Sequence, residues 1–410
     1  MLTSQSERDG LFQFSMSGLW KSSFICLCAI VVLQSVIGAW FYKAPVGPIY
    51  MTELFIILSW IMVILAVISS GKFPNPVALV YLLLIAIFYL AYSIYAGHVY
   101  SWIFRQAAYI LYASVGIISF SFFNHRKFRQ RANRAKHTFY HFMGGGGGAL
   151  LVFHKVWDVI PGHPGFTAYL VFLIGFSYWV YLGRSVLQKI LIGVMGSLFV
   201  YLVKSHTVFV VTPFFIASIG IYFQFPKLRL IEIVVLMLGI IGAIKYLPGV
   251  TDHNATWRFV YWVDVVKASW DRGFLLLGKG FGIQYMEEGG IGFTRLIEQV
   301  TTAKNKEYQL MTVPPHNGLL TTLIYIGLPG VLLLLWPVLL GVRLCIKNML
   351  SAHTQILLSI ILAYLLLLST NQFLEVPYAA VIFWLFYGAL YAGIQQDRYR
   401  PVSNAVGFGA

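Results

Sequence analysis

TDHNATWRFVYWVDVVKASWDRGFLLLGKGFG, residues 251–282, opens the one long polar interruption of this chain, and PPHNGLLTTLIYIGLPG, residues 314–330, closes it. Half of the acidic residues lie between these limits, namely Asp252, Asp264, Asp271, Glu287, Glu288, Glu298 and Glu307. Apolar runs of about 20 residues, long enough to cross a bilayer, lie on both sides. We therefore expect a membrane scaffold that holds this segment at the membrane surface, and we place the chemistry there.

The composition excludes a soluble domain. Hydrophobic residues make up 59% of the 410 residues and charged residues 10%, and the mean hydropathy is +0.77. The net charge of +15 comes from basic residues in short loops between apolar runs, which is typical of the positive-inside bias and not of a nucleic-acid surface. The cysteines, Cys26, Cys28 and Cys345, lie in or beside apolar segments, so no disulfide framework is predicted.

The apolar runs predict an all-α membrane protein of about 12 transmembrane helices with one long periplasmic loop that contains an amphipathic helix. The predicted spans are 22–41, 49–70, 76–97, 103–123, 138–154, 166–183, 186–203, 206–223, 229–249, 317–342, 352–370 and 376–393. This divides the chain into a bundle of nine spans (1–250), a periplasmic loop (251–316), and spans ten to twelve with a cytoplasmic tail (317–410). The first apolar run is read as a retained span, because it lacks a convincing cleavage site.

Basic residues in the short loops predict the orientation. With the N-terminus inside, the inner segments carry 17 of them: Arg8, Lys21, Lys72, Arg126, Lys127, Arg129, Arg131, Arg134, Lys136, Arg184, Lys189, Lys227, Arg229, Arg343, Lys347, Arg398 and Arg400. The short outer segments carry 5: Lys43, Arg105, Lys155, Lys204 and Lys245. Short loops decide topology, so both termini are expected in the cytoplasm and the long loop outside a bacterial inner membrane.

Two features of the scaffold leave alternatives open. The run Gly144–Gly148 inside a predicted span permits close approach of another helix or a lipid chain, and it equally suits a broken or flexible helix. His137 and His141 have metal-ligand spacing, but no third ligand lies nearby in the sequence, so interfacial packing is favoured.

The long loop contains a predicted amphipathic helix. Its apolar residues recur at helical spacing: Phe259, Trp262, Val263, Val266 and Trp270. Asp264, Lys267 and Asp271 form the opposing polar stripe. A helix with two tryptophans on its apolar face is expected to lie on the membrane interface or to pack onto the bundle. The following Gly278–Gly282 predicts a turn whose backbone runs close to another group, and as a phosphate loop it lacks the required spacing.

His316 is the strongest catalytic candidate. It follows two prolines and stands immediately before a predicted helix start at Asn317 and Gly318. The positive end of the helix dipole keeps an imidazole neutral and able to accept a proton, and the unpaired N–H groups there attract a phosphate. The alternative is that His316 merely caps the helix, a role that Asn317 can also fill.

Further candidates lie on the same predicted outer face. Arg258, at the start of the amphipathic helix, offers a fork of donors for phosphate oxygens, or it is a solvated or snorkelling arginine. Lys204 and His206 flank Ser205 in a short outer turn, where the lysine can also snorkel. His163 lies in the turn Pro161–Gly165 and is equally well a turn residue or a ligand.

The pairing of Thr256-Trp257-Arg258, Trp262 and Gly278–Gly282 with His316–Leu320 and Gly327–Gly330 resembles the O-antigen ligase/polymerase superfamily. This superfamily includes lipopolysaccharide O-antigen ligases and Wzy-type polysaccharide polymerases. The resemblance is best over the last third of the chain.

The resemblance implies a glycosyltransferase that needs neither a metal nor a cofactor. It would move a glycan from an undecaprenyl pyrophosphate-linked oligosaccharide to a sugar hydroxyl. His316 would be the general base and Arg258 would hold the donor pyrophosphate. Lys204 stands where the family often has an arginine, and His206, Asn317 and His163 complete the substrate-binding candidates. Membrane lipids, a chain-length regulator and a flippase are the implied partners.

Three functions are weighed. The first is an inner-membrane polymerase that extends a lipid-linked repeat unit for O-antigen, capsule or exopolysaccharide synthesis. The second is an O-antigen ligase with lipid A–core as the acceptor. The third is a flippase or transporter of lipid-linked oligosaccharide, which usually carries its polar groups near the midplane and in repeated halves. The polar residues here cluster at one surface instead, and the sequence has no evident internal repeat.

Overall fold

The computed structural model describes residues 3–38, 41, 45–46, 49–70, 76–124, 126–157, 164–204, 207–246, 253–283, 317–370 and 374–398. Within these ranges the chain forms fourteen α-helices and a two-residue strand pair. The helices are α1 (Thr3–Ile37), α2 (Met51–Ser70), α3 (Pro76–Tyr95), α4 (Tyr100–Asn124), α5 (Arg126–Trp157), α6 (Pro164–Leu182), α7 (Val186–Lys204), α8 (Thr207–Gln224), α9 (Arg229–Tyr246), α10 (His253–Asp271), α11 (Gly318–Ile326), α12 (Leu328–Ile346), α13 (Ala352–Leu368) and α14 (Pro377–Arg398). Strands β1 (Pro45–Val46) and β2 (Ile49–Tyr50) pair antiparallel.

Seven helices of the described chain are long and apolar enough to cross a bilayer, so the chain is an all-α, multi-pass membrane protein. These segments are Gly18–Ile37, Met51–Ser69, Val77–Tyr95, Trp102–Asn124, Val186–Val203, Leu328–Ile346 and Pro377–Arg398. A further pair, Val208–Gln224 and Pro226–Val235, is bent by 115°, and two shorter apolar helices are Phe166–Leu182 and Ala352–Leu368. The count of twelve spans stays a prediction.

The predicted tenth span, 317–342, is divided into two helices. Helix α11 ends at Ile326, and α12 begins after Gly327, whose φ of 76° is in the left-handed region that favours glycine. Nine residues rise only about 14 Å, so α11 cannot cross a membrane. Pro329 lies in the first turn of α12, where its fixed φ fits.

The chain divides into two compact units. The first contains Met1–Leu84, Ala108–Gly175 and Pro377–Ala410. In it, α1 packs against α2, α5 and α14. Helix α14 approaches α4 closely: a Cβ at Gly388 would lie 2.8 Å from the backbone nitrogen of Phe120. The Ser119 hydroxyl donates to the carbonyl of Leu385 at the same crossing.

The glycine run in the first unit lets two helix backbones touch. Helix α5 is continuous through Gly144–Gly148, so the broken-helix alternative is wrong. A Cβ at Gly147 would lie 2.5 Å from the nitrogen of Phe172, and a Cβ at Gly175 would meet the backbone of Gly144. Side chains at these positions would force α5 and α6 apart.

The second unit contains Ile85–Ala107 and Phe176–Val376. In it, α7 packs along α8, α8 packs on α13, and α11 contacts both α10 and α12. Arg229 fastens the end of α12: its guanidinium donates to the carbonyls of Tyr222, Cys345 and Ile346 and to Asn348 Oδ1, at 3.0–3.2 Å. A cation at carbonyls of a helix C-terminus is favourably placed.

Candidate active site at the start of helix α11

Asn317 caps the helix on which the site is built. Its backbone is extended, with φ −148° and ψ 107°, and its Oδ1 accepts hydrogen bonds from the backbone N–H groups of Leu319 at 3.1 Å and Leu320 at 3.2 Å. These bonds satisfy two of the donors that a helix start leaves unpaired. The N-cap of α11 is therefore Asn317, and His316 lies outside the described residues.

A groove of about 570 Å³ lies between α10 and the start of α11. Its lining is Trp262, Val263, Val266, Lys267, Trp270, Asp271, Asn317 and Leu320. Most of this lining is apolar, and its polar residues are Lys267, Asp271 and Asn317. The groove therefore joins the amphipathic helix to the helix start, the two parts of the long interruption that the sequence singled out.

Helix α10 presents its more apolar face outward. Trp270 is 72% exposed, and Val263 and Val266 are each nearly half exposed. The buried face carries Tyr261, Val265 and Ser269 instead. Helix α10 contacts α11, and the placement of its tryptophan stripe at the membrane interface stays a prediction. The helix packs through the opposite face and leaves the stripe open, the orientation that suits an interfacial helix.

Polar atoms are buried on α10 and on α11. Asp264, predicted to belong to the polar stripe, is half-buried, and its Oδ2 is buried without a hydrogen-bond partner among the described residues. On α11, the hydroxyl of the fully buried Thr321 also has no partner within that part of the chain. Buried polar atoms require donors or acceptors. They are suitable partners for a buried water.

Tyr261 lies on the same inward side and remains a hydrogen-bond donor. Burial raises its pKa well above the usual range, and the negative charge of Glu375 raises it further. Glu375 therefore neighbours Tyr261, although more than a hundred residues separate them in the chain. Sequence patterns pointed to neither residue, and the only signal for Tyr261 is its helical spacing with Val265 and Ser269.

The glycine-rich turn Gly278–Gly282 is a structural joint and not a phosphate loop. All six backbone N–H groups from Gly278 to Ile283 donate to protein acceptors: the carbonyls of Phe274, Ile324 and Tyr325, Ser93 Oγ, and Gln106 Oε1 twice. None of these groups remains to cradle a phosphate. The turn packs directly on Tyr325 and Gly327, so the two motif stretches of the last third of the chain meet in space.

Glycine is required in that turn for two reasons, the left-handed backbone conformation and the close approach of neighbouring atoms. Gly278, Gly280 and Gly282 all have φ between 69° and 79°. A Cβ at Gly278 would lie 2.5 Å from the carbonyl oxygen of Tyr325, and one at Gly280 would lie 2.6 Å from Ser93 Oγ. The prediction that backbone runs close to another group here is confirmed.

The side chain of Lys279 is the cation that this turn contributes. Its Nζ lies 4.5 Å from the centre of the Phe274 ring, within the range of a cation–π contact. Burial lowers its pKa to about 8, and the positive charge of Arg272 lowers it further. The sequence showed Lys279 only as part of a turn.

Five of the six predicted site residues have side chains that lie outside the described part of the chain. His316, His206 and His163 fall outside it altogether. Arg258 lies in α10, one turn before Trp262, and Lys204 is the last residue of α7, but their side chains fall outside the description. Asn317 is the predicted site residue whose side chain is described, and it lines the groove.

The described side chains assign no metal site, and the comparisons with known proteins assign no family. Within the described ranges, no group of three or more His, Cys, Asp or Glu side chains is placed to hold a metal ion. No family model, no curated protein and no solved structure matches the chain.

Proposed function

We propose that this protein is an inner-membrane polysaccharide polymerase. It transfers a growing glycan from undecaprenyl pyrophosphate to a lipid-linked repeat unit, for O-antigen, capsule or exopolysaccharide synthesis. The active face is periplasmic and both termini are cytoplasmic. The proposal rests on the motif resemblance and on the site at the start of α11.

The observation that carries the proposal is the capped helix start beside the groove. Because Asn317 supplies the cap, His316 is not needed for that role and is assigned to chemistry. A neutral imidazole suits this position, and the positive end of α11 favours a phosphate group nearby.

The proposed reaction balances without a metal. The acceptor hydroxyl oxygen attacks the anomeric carbon of the donor glycan, and His316 accepts the hydroxyl proton. The bond from the anomeric carbon to the pyrophosphate oxygen breaks, and undecaprenyl pyrophosphate leaves with the electron pair. Arg258 and Lys204 hold the pyrophosphate, and His206 and His163 contact substrate. Positioning and charge stabilisation then carry most of the catalysis.

The groove suits an amphiphilic donor. Its apolar lining includes Trp262 and Trp270, which would contact the isoprenoid nearest the pyrophosphate. The polar lining of the groove is Lys267, Asp271 and Asn317, whose side chains can pair with sugar hydroxyls.

Replacing His316 by alanine tests the assignment. We expect polymer to disappear while the amount of protein and the lipid-linked units outside are unchanged. His141→Ala, on the exposed side of α5, is the matched control and leaves polymer intact. Polymer in the His316→Ala strain would overturn the catalytic role.

Transfer with purified protein separates polymerase from ligase. A defined lipid-linked repeat unit is supplied alone or with lipid A–core. The proposal predicts long chains on the carrier without the second acceptor. Product that forms only with lipid A–core would assign the ligase, and repeat units that cross vesicles without joining would assign the flippase.

A further inference from the structure

Two consecutive leucines are exposed in the turn that follows α10. Leu276 is 64% exposed and Leu277 is 58% exposed, and Trp270 at the end of the helix is 72% exposed. A water-facing turn rarely carries such a run of large apolar side chains. These side chains therefore face an apolar medium or a partner.

The turn is firmly held against the rest of the second unit. The N–H of Leu275 donates to the carbonyl of Ser269 at 3.0 Å, and the N–H of Leu328 donates to the carbonyl of Leu275 at 2.8 Å. The bonds from Gly278 to Ile283 fasten its far end. The outward direction of Leu276 and Leu277 is thus fixed by the surrounding backbone.

The turn lies at the level where candidate spans begin and end. Leu328 is the first residue of one span, and the turn after Tyr95 joins two others. A ring nitrogen of His98, in that second turn, lies 2.7 Å from the carbonyl oxygen of Phe281. Tyr95 is 91% exposed and Tyr100 is 63% exposed. Tyrosine and tryptophan concentrate at membrane–water interfaces, so these residues mark the interface.

Cations flank the exposed leucines. Arg272 opens the turn and is exposed, and the half-buried Lys279 closes it. The two positive charges are close enough that Arg272 lowers the pKa of Lys279. A phosphate between or beside them relieves that repulsion, and anionic lipids attract basic residues at a membrane surface.

We propose that the segment Trp270–Lys279 is a membrane-surface anchor, in which Leu276 and Leu277 insert among acyl chains and Arg272 and Lys279 bind the phosphate of an anionic phospholipid. The segment adjoins the groove, whose lining includes Trp270 and Asp271, but the anchor does not depend on the proposed reaction. It holds α10, and with it the groove, at a fixed height on the bilayer.

The depth of position 276 in the bilayer is measured with a fluorophore. In full-length protein whose three cysteines are replaced by serine, Leu276→Cys is labelled with an environment-sensitive dye in vesicles. We expect quenching by lipids that carry a spin label below the headgroup, and protection from soluble iodide. Arg184→Cys, in the exposed turn between α6 and α7, is the control that iodide reaches. Iodide access at position 276 overturns the anchor.

Lipid selection is measured on protein in bilayer discs of equal phosphatidylglycerol and phosphatidylcholine. Enrichment of phosphatidylglycerol on the extracted protein is expected to fall about fivefold for each cation removed in Arg272→Gln and Lys279→Gln. Arg184→Gln, a matched exposed cation, leaves it unchanged. Inorganic pyrophosphate is the competing probe. Displacement of the lipid by pyrophosphate, or enrichment indifferent to both substitutions, refutes the phospholipid site.

Discussion

Substitutions at Asn317 separate the capping role of the site from its electrostatic role. Aspartate and serine cap helices about as well as asparagine, whereas alanine does not. Aspartate alone adds a negative charge at the helix end where the donor phosphate is proposed to bind. The three variants Asn317→Ala, Asn317→Ser and Asn317→Asp therefore give three different expectations.

The magnitudes follow from the cap geometry. Alanine removes the two bonds to the N–H groups of Leu319 and Leu320 and is expected to lower the free energy of unfolding by about 1 kcal/mol. A carboxylate about 5 Å from a phosphate charge, at an effective dielectric constant of about 20, repels it by about 3 kcal/mol. This corresponds to more than about a 100-fold loss in catalytic efficiency.

The assay pairs thermal unfolding in detergent with the rate of glycan transfer from a lipid-linked donor. Serine is expected to keep both near the wild-type values. Aspartate is expected to keep stability and lose transfer, mainly through weaker donor binding. An aspartate variant that transfers glycan at the wild-type rate would show that no anion binds at this helix start, and the proposed site would fail with it.

Three other predictions concern stability. Gly278→Ala places a Cβ 2.5 Å from a backbone oxygen. Gly273→Ala is the control, because Gly273 has a similar φ and open space around it. The left-handed conformation alone is expected to lower the free energy of unfolding of this control by only about 1–2 kcal/mol. The folded fraction on size exclusion is expected to collapse for the first variant alone, and equal behaviour would contradict the contact. Arg229→Lys keeps the charge but loses the fork of donors, so the melting temperature is expected to fall, while Lys227→Gln in the exposed turn beside it leaves the melting temperature unchanged. The pKa of Lys279 is lowered from 10.5 to about 8, so the unfolded chain binds more protons between these values and stability is expected to rise with pH there. Lys279→Met removes that rise, and a pH profile that it leaves unaltered would refute the assignment.

Part of this architecture can be predicted from the sequence. Helical spacing of Trp262, Val266 and Trp270 predicts α10, because a period of 3.6 residues places them on one face. The period does not say which face is buried. In a membrane protein, contact with lipid stabilises a helix whose most apolar face points outward. The inward face of α10, which carries Tyr261 and Ser269, is the more polar one.

Other features are fixed by distant parts of the chain and leave no local pattern. Residues 317–342 are almost uniformly apolar, so the sequence predicts one helix. The break at Gly327 is set by the contact of this residue with Gly278. A Cβ on Gly327 would lie 2.7 Å from the backbone nitrogen of Gly278. The proximity of Glu375 to Tyr261 has the same origin. The helix start at Asn317 was predictable, because a capping residue and its bonds are local.

The contact between Gly278 and Gly327 is reciprocal, since a Cβ on either would lie 2.7 Å from the other's backbone nitrogen. Reducing one partner cannot make room for a larger replacement at the other, because both are already the smallest residue. A second substitution at this contact therefore cannot compensate for a larger residue at either position. Diverged descendants of an ancestral gene are therefore expected to retain both glycines after their lipid-facing residues have drifted apart, which makes the pair a marker for tracing distant ancestry.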